Sequence, residues 1–351
     1  MNKKAENLTA RNDALDIIKA FSIILVVVGH SIQYGSGADF LSEKLYFENI
    51  CFKVIYSFHM PLYMLISGYL FAYSIKKRTW HENIYNKIKS LIIPIALWSM
   101  IPFIISITHI NYFSAGNLIK GYISTTIFNL WFLWAVFWCS ALVIIVNRFF
   151  HDSFGIYLLG FVLTFLVPDS YNLKMYKFMY PFFLLGYFFN KHNWNMRLEK
   201  FYSRKLFKIG LAVLYIFLLL FYQRDSYIYT SGYYILNKKV PFIQLGIDIY
   251  RFSIGLVGSL LVLIILFTAE KYMAGKTRNI LIYIGKNTFG IYIISSLIFS
   301  YILPNVTYNL MGINYVYVII ETFIIILFCI VCIKIIHSNN HLSGLLFGNR
   351  G

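Results

Sequence analysis

Charge is scarce in this chain. Of its 351 residues only 13% are Asp, Glu, Lys or Arg, and just 14 are acidic. With 59% hydrophobic residues and a mean hydropathy of +0.66, this is not the composition of a soluble domain. Cysteine is scarce too, and the four present imply no disulfide framework. Cys51 and Cys139 are isolated, while Cys329 and Cys332, though spaced as CxxC, lie in an apolar run and read as packing residues rather than a redox or zinc pair. No HExxH, no glycine-rich phosphate loop and no GxSxG elbow occurs. Zinc hydrolysis, P-loop phosphoryl transfer and serine-hydrolase chemistry therefore have no signature here. Internal repeats, soluble domains and low-complexity linkers are also missing.

What the chain does contain is a series of long apolar runs. They predict an all-α polytopic membrane bundle of about ten spans, near residues 15–34, 54–75, 91–108, 127–147, 154–167, 178–190, 209–222, 246–268, 280–300 and 315–336. The pair 154–167 and 178–190 is short and can tilt or form a re-entrant element. Residues 1–351 read as one membrane domain, with a helical core at 13–337 and short tails at 1–12 and 338–351. The first run is too polar at Asp16 and Lys19 for a signal-peptide core.

The net charge of +17 would suggest nucleic acid in a soluble protein, but here its placement explains it. With the N-terminus in the cytoplasm, most of the 31 basic residues fall in cytoplasmic segments, in clusters at Lys76–Lys89 and Lys191–Lys208. This positive-inside bias predicts a multi-pass protein of the cytoplasmic (inner) membrane with both termini inside, and argues against nucleic-acid binding. Tyr and Phe, 29 and 33 in number, gather at span ends as interfacial belts.

Ionisable residues inside the apolar runs are the functional candidates. The first run, LDIIKAFSIILVVVGHS (15–31), holds Asp16, Lys19 and His30. Lys19 and His30 share a helical face, roughly 16 Å apart along the axis, with Asp16 one turn below Lys19. A snorkelling lysine and an interhelically bonded histidine are the plain alternatives. The second run, FHMPLYMLISGYLF (58–71), places His59 at the same depth as His30. Its Pro61 removes a backbone donor, and Ser67-Gly68 permits close helix approach. Toward the outer face lie Asp248 and Arg251, a structural ion pair or a substrate contact, and Glu321. Toward the cytoplasm Lys19, Lys286, Lys87 and Lys89 converge in a manner suited to a polyanion such as a nucleotide diphosphate. For Lys87 and Lys89 ordinary positive-inside anchoring is the alternative. Two histidines are too few for a zinc site, whereas a neutral imidazole can act as a general base on a hydroxyl without metal or covalent intermediate.

Six segments in order, the two runs above together with Lys87–Trp98, LWFLWAVF (130–137), PFFLLGYFF (181–189) and IGKNTFGIYII (284–294), resemble the acyltransferase type 3 family of integral-membrane O-acyltransferases, in particular its fucose-4-O-acetylase-like branch. The resemblance covers nearly the whole chain. It implies transfer of an acyl group, usually acetyl from acetyl-CoA, to a sugar hydroxyl of a cell-surface or lipid-linked glycan, with no permanently bound cofactor. The family's basic residue falls on Lys19 and its histidine on His30. On this reading His30 is the general base, and Asp16 and His59 complete the candidate catalytic set. Lys19, Lys87, Lys89 and Lys286 attract the CoA phosphates, and Asp248, Arg251 and Glu321 are candidate acceptor contacts. The partners expected are acyl-CoA, the glycan acceptor and the bilayer, with self-association left open. A transporter or flippase of a glycan or lipid-linked sugar is the rival, since charged and interrupted spans suit that class as well.

Overall fold

The computed structural model describes residues 3–35, 45–107, 114–193, 204–236, 241–306 and 314–348. Among these every regular element is helical: α1 (Lys3–Gly35), α2 (Ile50–Lys77), α3 (Trp80–Ile107), α4 (Ala115–Phe128), α5 (Trp131–Phe149), α6 (Phe154–Leu166), α7 (Leu173–Lys191), α8 (Lys205–Leu220), α9 (Pro241–Glu270), α10 (Gly275–Lys286), α11 (Thr288–Ile302), α12 (Tyr315–His337) and α13 (Asn340–Phe347), with a few single turns between them. By length and composition six helices can cross a membrane: the Asp13–Tyr34 part of α1, α2, α3, α5, α9 and α12. Joined as one bent span, α10 and α11 make a seventh.

The other three expected spans are helical but differ in kind. The 154–167 and 209–222 segments fall in helices of 13 and 16 residues, short for a crossing. The 178–190 segment lies in α7, which carries Lys174, Lys177 and Lys191 and is buried within the bundle. An interrupted element occurs at α10–α11, bent by 69° at Asn287. Helix α4, between the third and fourth spans, was not expected. The 338–351 tail contains a helix, α13, whose Phe347 is buried and stacks on Trp98.

Small residues set the centre of the bundle. A β-carbon at Gly68 of α2 would run into the Phe183 carbonyl of α7, and one at Gly186 of α7 into the Leu65 carbonyl of α2. These two backbones therefore touch, as small residues in membrane helices allow. Gly285 does the same for α10 against the Asp16 backbone of α1. Exposed apolar side chains such as Phe323, Leu214 and Leu158 cover the periphery, which suits contact with lipid. Prolines shape two helices: π turns at Ile88–Ile92 and Ile298–Ile302 each end two residues before a proline, Pro94 and Pro304. A proline has no N–H to give to the preceding turn, and the ladder widens there to absorb the loss.

Candidate functional site

The break at Asn287 builds one end of the site. Asn287 Nδ2 donates to the Tyr283 carbonyl at 2.8 Å, closing the end of α10, and α11 starts in a new direction at Thr288. Lys286, Asn287, Thr288 and Gly290 thereby reach the wall of a cavity of about 330 Å³. The same wall carries Lys19 of α1 and Lys87 of α3, together with Ser67, Ser74 and His337. Three of the four expected phosphate-attracting lysines, from three separate helices, thus border one space. Lys89, on the π turn, lies half-buried outside that lining.

Two of these lysines are held from behind. Lys19 pairs with Asp16 at 2.6 Å, and Lys87 sits 4.7 Å from the centre of the Phe71 ring. Thr79 and Glu82 form a capping box that starts the helix carrying Lys87. His337 Nδ1 is 2.7 Å from Ser343 Oγ, tying the cavity wall to α13. Asp16 belongs to this end: it lies fourteen residues before His30, about 21 Å along the helix, too far for direct contact with that ring. Of the candidate catalytic set, Asp16 thus sits with Lys19 rather than beside His30.

At the other end of α1, His30 packs its ring 5.2 Å from Phe299, and Gln33 hydrogen-bonds it. Its Nδ1 is enclosed and has no hydrogen-bond partner among the described residues. His59 packs 4.8 Å from the Tyr56 ring, and Tyr56 in turn abuts Gly29, the residue before His30. His59 Nδ1 is 2.7 Å from the Ile55 carbonyl, which can only accept, so Nδ1 carries the proton and Nε2 is left as the basic nitrogen. His59 borders a second, small cavity of about 20 Å³, room for about one water, shared with Tyr56, Tyr227 and Tyr229. Gly29, just before His30, makes way for Tyr56: a β-carbon there would lie 2.8 Å from the Tyr56 ring.

The outer candidates separate. Arg251 and Asp248 form the expected ion pair at 2.8 Å, both buried. Arg251 also donates from Nε to the Ser226 carbonyl (2.8 Å), from Nη1 to the Gly232 carbonyl (2.9 Å), and from Nη2 to the Asp225 carbonyl (3.1 Å) and the Ser231 hydroxyl. All five guanidinium donors are engaged by the protein. Arg251 therefore pins the 225–232 segment, in line with the structural ion pair among its two expected roles, while its side chain also borders the small cavity. Asp248 Oδ1 also accepts from Gln244. Sequence reading missed the neighbouring pair Asp169–Lys177 (2.6 Å), where Asp169 Oδ2 accepts the Tyr233 and Tyr234 N–H groups. Both lie in the connection between the expected 154–167 and 178–190 spans, where charge carries no signal. Glu321 accepts from Tyr317 at 3.2 Å and neighbours Ser31, the residue after His30, but borders neither cavity.

Lys191, from one of the basic clusters, is tied to Asp152 together with Tyr157 (2.6 Å) and Tyr187 (2.8 Å). Burial alone would raise the Asp152 carboxyl, but these hydrogen bonds outweigh it and hold it below the ordinary carboxylate range. Among the described residues no three His, Cys, Asp or Glu side chains meet as a metal site.

Helices apolar enough for a membrane, enclosing a lysine-bordered cavity at one end and paired histidines at the other, define a class of membrane protein with an internal polar site. Residues 12–337 match the acyltransferase domain of the acyltransferase type 3 family, and the chain belongs to that family. It is similar to nodulation protein NolL of Mesorhizobium japonicum, 29% identical over 185 residues (51% of this chain, 48% of that protein). It is also similar to nodulation protein NolL of Sinorhizobium fredii, 30% identical over 183 residues (51% and 49%). These matches span about half the length of those relatives. No solved structure matches the chain.

Proposed function

We propose that this protein is an O-acyltransferase that moves an acyl group, acetyl above all, from acyl-CoA to a hydroxyl of a cell-surface or lipid-linked glycan. The observation that carries the reading is the meeting of Lys19, Lys87 and Lys286 around one cavity, within a chain of the acyltransferase type 3 family. Phosphates need fixed positive charge, and three lysines from three helices supply it in one place. Lys89 adds attraction from just outside. With the phosphates held there, the pantetheine arm extends along α1 toward the histidine level.

His30, with an unpartnered nitrogen, is the general base, and His59 positions the reacting groups. His30 takes the proton of the acceptor hydroxyl as its oxygen attacks the thioester carbonyl carbon. The carbon–sulfur bond then breaks, and the departing CoA thiolate takes a proton to leave as the thiol, with the sugar ester as co-product. The lysine end faces the cytoplasm, where acyl-CoA is made. In cells carrying His30→Ala or Lys19→Ala at wild-type protein levels, acetyl signals on surface glycan should vanish from NMR spectra. Normal acetylation in both variants would end the assignment.

The 69° break at Asn287 favours a second reading, since interrupted helices also build transporter binding sites. A transporter of lipid-linked sugar has no need to bind CoA, so CoA titration separates the two.

A further inference from the structure

The two cavities share a single wall residue. Among the described residues Met60 alone borders both, with Lys19, Lys87 and Lys286 on one side and His59 on the other. It is buried, directly follows His59 in α2, and precedes Pro61, whose missing N–H loosens the helix ladder at that turn.

Phe132 lines the larger cavity with Met60, while its neighbour Trp131 lines the smaller with Met60. Phe132 is fixed on several sides. Its N–H donates to the Tyr292 hydroxyl at 3.4 Å, and its ring stands edge-on to Tyr63 (5.2 Å) and Tyr292 (5.9 Å). Leu130, which starts this helix, is buried in the left-handed region at φ 52°. That conformation disfavours a leucine and persists only where the surroundings impose it. The wall thus has one rigid member and one compliant one, because a methionine side chain has three rotatable bonds and no branching.

Resting on the acyl-donor reading of the larger cavity, we propose that Met60, together with Phe132, is the partition between donor and acceptor sides and sets the length of acyl chain the protein accepts. A thioester entering from the lysine end meets Met60 before it meets His59. A two-carbon acyl group ends at the wall, and longer chains must displace it. Each unaccommodated methylene in such an apolar pocket costs roughly 10- to 200-fold in discrimination.

The test is calorimetric titration of the solubilised full chain with CoA, acetyl-CoA, butyryl-CoA and hexanoyl-CoA. Wild type should bind hexanoyl-CoA at least tenfold more weakly than acetyl-CoA, and Met60→Ala should erase most of that ratio. If wild type binds CoA but the acyl ratio is the same in both proteins, the partition is wrong and the donor site stands. If folded wild type binds no CoA at all, the donor reading falls and this inference falls with it. A Met60→Cys variant, in a background without the four native cysteines, carries the test should Met60→Ala fail to fold. Acetyl-CoA should protect the introduced thiol from a small methanethiosulfonate reagent more than CoA does, and equal protection would overturn the proposal.

Discussion

Two of the groups of buried or half-buried charge in this bundle differ in what surrounds them. Around Arg251 the protein supplies a partner for every guanidinium donor, with Asp248, Ser231 and three carbonyls enclosing it. Lys19, Lys87 and Lys286 instead border an open space of about 330 Å³, with Lys19 paired to Asp16 and Lys87 set against the Phe71 ring behind it. A charge whose every donor is met by its own chain fixes structure even where, like Arg251, it borders the small cavity, whereas lysines around a larger open space can still act on something else. Sequence spacing already sets the two apart in part, since Arg251 has Asp248 three residues before it while Lys286 has no acidic residue within a helical turn.

The sharpest way to break this comparison is to remove one charge from each group. Arg251→Ala leaves Asp248 buried without its counter-ion, at a cost of about 3–5 kcal/mol, and should lower thermal stability in detergent severely. Replacing both partners together, as Asp248→Leu with Arg251→Met, should recover much of the loss, and an unchanged unfolding temperature in Arg251→Ala would contradict the structural role. Lys286→Ala should do the opposite. Its stability stays near wild type, while CoA binding loses about 1.5–3 kcal/mol, roughly 10- to 100-fold, as expected for a charged contact.

Gly285→Ala joins the two kinds of effect. Its β-carbon would press on the Asp16 backbone, costing about 1–3 kcal/mol in stability and shifting Lys286 away from Lys19. Gly246→Ala, where nothing lies within 4 Å, is the control and should leave both readings intact. The smallest effect belongs to Thr79→Ala, which removes the cap of the helix bearing Lys87 and should cost about 1 kcal/mol in thermal unfolding.

The lysine end was legible in the sequence because intramembrane cations stand out against apolar neighbours, and Lys19 and Lys286 did so. The contact made by Gly68 was legible for a related reason, as a small residue within a span. What stayed hidden depends on distance in the chain. Nothing local says that residues 225–232 fold back over Arg251, or that Asp169 and Lys177 lie beside Gly232. His337 and Phe347 were read as span end and tail, yet both reach the wall of the cavity. The tyrosines read as interfacial belts include Tyr56, Tyr227 and Tyr229, which line the small cavity beside His59. The 178–190 run was the hardest to classify, because α7 is buried among other helices and keeps three lysines at its two ends, so that apolar length alone does not describe it.

The central claim is that the lysine-bordered cavity takes an acyl-CoA. Isothermal titration of CoA into the folded, detergent-solubilised protein tests it most directly, with Lys19→Ala and Lys286→Ala run beside wild type. The account predicts saturable binding to wild type and at least tenfold weaker binding to each variant at unchanged unfolding temperature. Absence of binding to wild type, or equal affinity in all three proteins, would contradict it.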